Sequence, residues 1–354
     1  MTSVPYSSSV PHSNGISRSR SLLRAVMALL CLLLAMLVAR HGAAGLADSG
    51  FIPDRLIPLV QQAMLAFLLL LGYAGLGSLL DRQTLPIAAQ GLPLRKGWRS
   101  ETALGMGAGW SFAVVAIIPL ALIGGIAIHL DLSAASWKWF VADAGFFALT
   151  ALVEEVAFRG YGFQRLRDAL GPSAAVILFA GFYAGLQGSL LGATHLSMAV
   201  GAVFSGMLSI AYLRTRALWV GWGLNFAWKA SRALLFGLAV SGNTAHSPIV
   251  TGDPMGPFWL TGGGFGLESS WWAFVLLVLG LPVVYRITRD LDFIHNAPML
   301  ISSGIPVDLD AAGKQQHEAA TRTAGTADAE SAANLIQIAP VVAGIPPPTA
   351  PPRQ

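Results

Sequence analysis

The stretch AMLAFLLLLGYAGLGSLL, residues 63–80, decides the class of fold. It contains no charged side chain, and a helix needs about 20 mostly apolar residues to cross a bilayer. Comparable apolar blocks occur on both sides of it, at residues 25–39, 103–130, 140–158, 173–191, 196–213, 217–240 and 271–285. The sequence therefore predicts about eight transmembrane helices.

The composition agrees with a membrane protein. Of the 354 residues, 54% are hydrophobic and only 11% are charged, and the mean hydropathy is +0.61. Soluble globular proteins carry about a quarter charged residues, so this composition excludes a cytosolic enzyme and a disordered scaffold. Only helices and closed barrels satisfy the backbone inside lipid, and the apolar blocks lack the alternation that a barrel needs. We predict an all-α, polytopic helix bundle.

Two further classes of function are excluded by the charged residues and the cysteine. The net charge is +4, but the basic residues are scattered over loops and form no stripe with aromatic residues, so we expect no nucleic-acid partner. The single cysteine, Cys31, lies inside an apolar block. A disulfide framework and a cysteine-based zinc cluster are therefore excluded.

Lysine and arginine concentrate on alternate loops, which predicts the orientation of the bundle. The loops after the second, fourth, sixth and eighth predicted helices carry Arg82, Arg95, Lys96 and Arg99; Arg165 and Arg167; Arg214 and Arg216; and Arg286 and Arg289. Both termini are therefore predicted to lie in the cytoplasm. We expect the helix bundle to reside in a plasma membrane or an inner membrane.

The chain divides into four predicted regions. Residues 1–20 form a Ser-rich disordered tail, 21–139 the first transmembrane helices, 140–285 a membrane core, and 286–354 a largely disordered Pro/Ala-rich cytoplasmic tail. An alternative interpretation makes the first apolar block the core of a signal peptide. No inverted repeat stands out, which weakens a transporter hypothesis.

Ionisable residues inside apolar blocks are costly, and each is a candidate functional residue. Glu154, Glu155 and Lys229 are such residues, and His195 lies nearer the edge of a block. Glu155 shares a helical face with Arg159, four residues later, and can pair with it. Glu154 points about 100° away and is free to meet another helix. The alternative is that these charges only hold helices together.

The stretch EEVAFRG, residues 154–160, resembles the Glu-Glu-x-x-x-Arg signature of the CPBP intramembrane proteases, also called the type II CAAX prenyl protease or Abi family. The resemblance extends over roughly residues 140–285. The further stretches that carry it are Leu213–Trp219, Phe236-Gly237, Ser241-Gly242 and Gly262–Ser269.

The resemblance implies an endopeptidase that cleaves a membrane-anchored peptide, such as a prenylated CAAX sequence. By position, Glu154 would activate water, with Glu155 and Arg159 in support. The family's two metal-binding histidines fall at Tyr183 and Asn225, and its later polar residue at Lys229. Zinc is thus implied by the family, but tyrosine and asparagine are not good zinc ligands.

Positions along the predicted helices place Glu154, Tyr183 and Asn225 at similar depths, so we expect three helices to converge on one cytoplasm-facing pocket. An unpaired ammonium at Lys229 would be costly. We hypothesise that Lys229 pairs with Glu154 or Glu155 and replaces the charge of the missing metal. The alternative is that Lys229 extends, with Arg232, toward the membrane surface.

Two histidines are weaker candidates for metal ligands. His195 stands beside Thr194 and Ser197 at a predicted helix start, where a local hydrogen-bonding role is the commoner one. His129 lies at the far end of the third predicted helix.

Three functions follow. The first is an intramembrane endopeptidase with Glu154 as base and with Asn225 and Tyr183 as donors to the oxyanion. The second is an inactive pseudoprotease that binds a membrane peptide or partner protein. The third, a small-molecule or ion carrier, lacks the expected repeats.

Overall fold

A computed structural model of the protein describes residues 18–130, 134–244, 246, 250–289 and 291, together with the backbone of residues 299–300 and 306–307. The tails predicted at residues 1–20 and 286–354 lie almost entirely outside this part of the chain. The chain divides into two units, residues 1–292 and residues 293–354. In the second unit, Met299–Leu300 pairs antiparallel with Pro306–Val307.

The first unit is helical. Its helices, in the part of the chain that the structure describes, are α1 Arg18–Asp48, α2 Ile57–Asp81, α3 Pro86–Ala89, α4 Trp98–Leu122, α5 Ala134–Arg159, α6 Tyr161–Leu170, α7 Pro172–Gly188, α8 His195–Thr215, α9 Trp219–Ala230, α10 Phe258–Thr261 and α11 Trp271–Ile287. A small antiparallel sheet joins β1, Ile126–Leu130, to β2, Val250–Pro254. The predicted all-α class is confirmed.

Four helical segments among the described residues are long and apolar enough to cross a membrane, namely Arg18–Asp48, Asp54–Asp81, Trp98–Leu122 and His195–Thr215. Helices α7 and α11 are apolar but shorter. The number of eight spans and the cytoplasmic position of both termini therefore stay predictions.

The prediction of one helix over residues 103–130 is wrong. Helix α4 ends at Leu122, after Pro119 and just before two glycines, and the chain continues into strand β1. Five residues of β1 pair in register with β2, from Ile126 opposite Pro254 to Leu130 opposite Val250. Apolar content alone did not distinguish this strand from a helix end, because the partner strand lies more than a hundred residues later in the sequence.

The prediction of one helix over residues 217–240 is also wrong. Helix α9 ends at Ala230, and a π-helical turn follows at Ser231–Leu235. The chain then turns sharply at Gly237, whose φ is +61°. A Cβ atom there would lie 2.3 Å from the carbonyl oxygen of Val250, so only glycine fits this turn. The backbone therefore leaves the helical path before Val240.

Small residues bring α9, which carries Asn225 and Lys229, close to α4. A Cβ atom at Gly105 of α4 would lie 2.2 Å from the Val220 carbonyl oxygen, and one at Gly223 of α9 would lie 2.3 Å from the Thr102 carbonyl oxygen. The two helix backbones therefore touch, as is typical where glycines line a helix contact in membrane proteins. This contact fixes the position of α9 against α4.

Candidate functional site

The adjacent carboxylates Glu154 and Glu155 occupy different environments on α5. The side chain of Glu155 is fully buried, whereas that of Glu154 is 20% exposed. A Cβ atom at Gly221 of α9 would lie 2.5 Å from Glu155 Oε2, so glycine at this position makes room for the buried carboxylate. The divergence of the two side chains follows from the helical spacing, as the sequence predicts.

Glu155 pairs with Arg159, and this pair joins α5 to α8. Glu155 Oε1 lies 3.3 Å from Arg159 Nη1, and both side chains are fully buried. Arg159 Nη2 donates to the carbonyl oxygen of Ser205 at 2.7 Å and to its hydroxyl at 2.9 Å, and Nε donates to Ser209 Oγ at 3.3 Å. Every nitrogen of the guanidinium therefore has an acceptor, and the pair fixes α5 against α8.

Three donors from two other helices converge on Glu154. Asn225 Nδ2 of α9 donates to Glu154 Oε2 at 2.9 Å, and the hydroxyl of Tyr183 on α7 lies 3.5 Å from the same oxygen. The ammonium of Lys229, one turn after Asn225, pairs with Glu154 Oε1. Helices α5, α7 and α9 thus meet at one carboxylate, as their depth in the sequence predicts.

Asn225 connects the two carboxylates. Its Nδ2 atom also lies 3.4 Å from Glu155 Oε1, so the two amide hydrogens are directed at Glu154 and Glu155. Asn225 is completely buried. The amide therefore fixes the distance between the buried carboxylate and the partly exposed one.

The residues at the site do not fit zinc. Among the described residues, no group of three or more His, Cys, Asp or Glu side chains is arranged to hold a metal ion. Two buried acceptors, Asn225 Oδ1 and Glu155 Oε2, have no hydrogen-bond donor there. One carboxylate oxygen and one amide oxygen fall short of the three or four imidazole, thiolate or carboxylate ligands that hold zinc in proteins. The Lys229 ammonium also occupies Glu154 Oε1, the oxygen that a metal ion would need.

Lys229 and Arg232 do not extend together toward a surface. Lys229 is buried and paired with Glu154. Arg232 is completely buried, and its Nη2 atom lies 2.7 Å from Glu268 Oε1. The sequence hypothesis that Lys229 pairs with a carboxylate is confirmed by this contact.

The two candidate histidines lie at exposed positions. His195 is exposed at the first residue of α8, where Thr194 and Ser197 form a reciprocal capping box. His129 Nε2 lies 3.6 Å from Asp253 Oδ2 across the β1–β2 pair. The capping box accounts for the residues beside His195, and the contact with Asp253 accounts for His129.

Sequence reasoning missed the residues that support the site. Ser205 and Ser209 anchor Arg159, and a pair of serines four residues apart in an apolar block was the available signal. Glu268 was noted only as part of a resembling stretch, and its partner Arg232 only as a companion of Lys229. Both residues are ionisable and lie in or beside an apolar block, and this property was the signal that could have identified them.

Residues 135–231 match the family described as type II CAAX prenyl endopeptidase Rce1-like. No curated protein and no solved structure matches the chain. The matched segment contains all six candidate residues, Glu154, Glu155, Arg159, Tyr183, Asn225 and Lys229. The apolar helices indicate a membrane protein. Residues 135–231 are similar to this protease family, in agreement with the resemblance of the EEVAFRG stretch to the CPBP intramembrane proteases.

Proposed function

We propose that this chain is a multi-pass membrane endopeptidase that cleaves a membrane-anchored peptide without a metal ion. The observation that carries the proposal is the convergence of Lys229, Asn225 and Tyr183 on the Glu154 carboxylate, whose side chain is 20% exposed. A base must be held in one orientation and still be reachable by water. Glu154 meets both requirements, whereas Glu155 is sealed from solvent.

In the proposed reaction, Glu154 takes a proton from a water molecule as the water oxygen adds to the scissile carbonyl carbon. The proton then passes to the amide nitrogen, the C–N bond breaks, and the products are a carboxylic acid and an amine. Lys229 pairs with Glu154 and places a positive charge beside the developing oxyanion. This charge takes the place of the one that a metal supplies elsewhere in the family.

The two remaining residues take different parts. Both amide hydrogens of Asn225 are directed at carboxylates, so we assign it to orienting Glu154. The contact from the Tyr183 hydroxyl to Glu154 is long at 3.5 Å, so this hydroxyl is the freer donor for the oxyanion. Glu155 and Arg159 fix α5 against α8.

The test uses the full chain in liposomes with a peptide that carries a prenylated cysteine near its carboxyl end. We expect cleavage that persists in the presence of a zinc chelator and is lost in Glu154→Gln. Arg167→Gln is the matched control, because Arg167 pairs with its exposed neighbour Asp168 and lies outside the site. Cleavage that the chelator abolishes would contradict the metal-free mechanism.

A second function is favoured by one observation. The Lys229 ammonium occupies Glu154 Oε1 directly, so this oxygen is not free to accept a proton from water. This contact favours a pseudoprotease that binds the membrane-anchored peptide, or a partner protein, without cleaving it. Equal binding of a labelled peptide to the wild type and to Glu154→Gln, with no product from either, would support this second function.

We also infer eight spans from the apolar blocks and cytoplasmic termini from the alternation of basic loops. We place the protein in a plasma or inner membrane. Labelling of single cysteines with a membrane-impermeant maleimide tests this topology. A Cys31→Ser background is required, with cysteines placed at Arg167 and Arg216. Both sites should react from the cytoplasmic side only, and reaction of either from the opposite side would contradict the topology.

A further inference from the structure

A second buried ion pair lies next to the candidate site. Arg232, in the π-helical turn after α9, and Glu268, in a 3-10 turn at Leu267–Ser269, approach to 2.7 Å, and their side chains are 0% and 7% exposed. The guanidinium stacks on the Trp228 ring at 4.4 Å, and its Nε atom donates to the Trp228 carbonyl oxygen at 3.0 Å. Arg232 is thus fixed by contacts with Glu268 and with Trp228.

A small cavity borders both this pair and Lys229. Its volume is about 10 Å³. The cavity is lined by Tyr183, Gln187, Val200, Gly201, Phe204, Trp228, Lys229, Arg232 and Glu268. Two of these residues, Tyr183 and Lys229, also contact Glu154. The cavity and the Glu154 site therefore share a wall.

Two charged groups at this cavity lack part of their hydrogen bonding. Arg232 Nη1 and Glu268 Oε2 are buried, and neither has a hydrogen-bond partner in the part of the chain that the structure describes. Leaving such atoms unsatisfied is costly. One is a donor and the other an acceptor, so a single ligand that satisfies both must be able to accept and to donate.

Water has this property, and a cavity of roughly 10–15 Å³ holds about one water molecule. An anion would satisfy the guanidinium alone, and a cation the carboxylate alone. We propose that the cavity is a buried water site between the two ion pairs, and that its water hydrates the Glu154 site during turnover. The second part of this proposal rests on the proposed peptidase function, whereas the first part does not.

The test labels the full chain in detergent with hydroxyl radicals made from water by brief X-ray exposure. Radicals formed at a bound water oxidise the side chains beside it. Trp228 and Tyr183 are only 2% and 9% exposed, so we expect both to be oxidised well above Tyr212, which is 4% exposed and does not line the cavity. Equal labelling of all three in the wild type would overturn the water site.

A matched pair of variants sharpens the test. Gly201→Ala places a methyl group 3.3 Å from the Tyr183 ring and fills the cavity, whereas Gly206→Ala on the same helix meets no atom within 4 Å. We expect the labelling of Trp228 and Tyr183 to be lost in the first variant and unchanged in the second. Retained labelling in a folded Gly201→Ala protein would overturn the proposal. If that variant does not fold, Glu268→Leu removes the acceptor and carries the same expectation.

Peptide cleavage separates this inference from the proposed function. We expect Gly201→Ala to lower kcat with KM unchanged, because water supply and not peptide binding is affected. Loss of labelling with kcat unchanged would overturn the hydrating role. A labelled wild type that cleaves no peptide would refute the peptidase function and support the water site alone.

Discussion

The two buried ion pairs near the end of α9 differ in what surrounds them. Lys229 and Arg232 are three residues apart in the sequence, yet Lys229 pairs with Glu154 of α5 and Arg232 with Glu268 of a distant turn. The Glu154 side chain is 20% exposed and has further contacts from Asn225 and Tyr183. Glu268 is 7% exposed, and one of its oxygens has no hydrogen-bond partner within the described residues.

This difference separates a pair with a partly exposed carboxylate, to which we assign the proposed chemistry, from a pair that is buried on both sides. Both pairs remove charge from an apolar environment, and each partner makes the burial of the other tolerable. Of these two pairs, the Glu154 pair has the more exposed carboxylate, at 20% against 7% for Glu268. Exposure and the number of converging donors therefore distinguish the two pairs, whereas charge does not.

The largest expected effect is on stability, from Arg232→Met. This change leaves the Glu268 carboxylate buried without its partner, and breaking a buried pair in this way costs about 3–5 kcal/mol. Thermal unfolding in detergent, at matched protein concentration, measures the loss.

The double variant Arg232→Met with Glu268→Leu is the control for this prediction. Replacing a whole buried pair by apolar residues is often close to neutral, so we expect most of the lost stability to return. A double variant as unstable as Arg232→Met would show that Arg232 acts through its contact with Trp228 instead.

The next effect is expected from Glu154→Gln. The glutamine keeps the shape and one oxygen acceptor, but Lys229 loses its counter-charge, so we expect a loss of about 1–2 kcal/mol. Cleavage should fall by about 10²–10⁴-fold, the range for removal of a general base. Parallel measurements of unfolding and peptide cleavage test this. An unchanged cleavage rate would remove Glu154 from the mechanism.

A smaller loss of stability is expected from Lys229→Met. Glu154 then keeps its contacts with Asn225 and Tyr183 and its partial exposure, so we expect a cost of about 1 kcal/mol. Cleavage should still fall by about 10²–10³-fold, because the charge beside the oxyanion is removed. A double-mutant cycle with Glu154→Gln measures the coupling of the pair. No coupling and full activity would contradict the proposed role of Lys229.

The last prediction concerns metal binding and restores the family's residues at the site. The triple variant Tyr183→His, Asn225→His and Lys229→Asn replaces the ion pair with two imidazoles beside Glu154. We expect about one zinc ion per chain in this variant, and none in the wild type, by elemental analysis of purified protein. Lys229→Asn alone is the control and should bind none. Zinc in the wild type would show that the site has ligands not identified here.

The sequence predicted the all-α class and the pairing of the charged residues on α5 and α9, because these depend on local properties. An uncharged block such as residues 63–80 has few alternatives to a helix in a membrane. The separation of Glu154 from Glu155 and the pairing of Glu155 with Arg159 follow from 3.6 residues per turn. The need of Lys229 for a carboxylate follows from the cost of burying a charge.

The sequence determined by itself that this is a helical membrane protein carrying an EEVAFRG motif, with tyrosine and asparagine where the family places histidines. Only the tertiary structure decided which carboxylate Lys229 meets, that Arg232 pairs with Glu268, and that residues 126–130 form a strand. These outcomes depend on contacts between residues far apart in the chain. Local periodicity contains no information about such contacts, because they are set by how the helices pack.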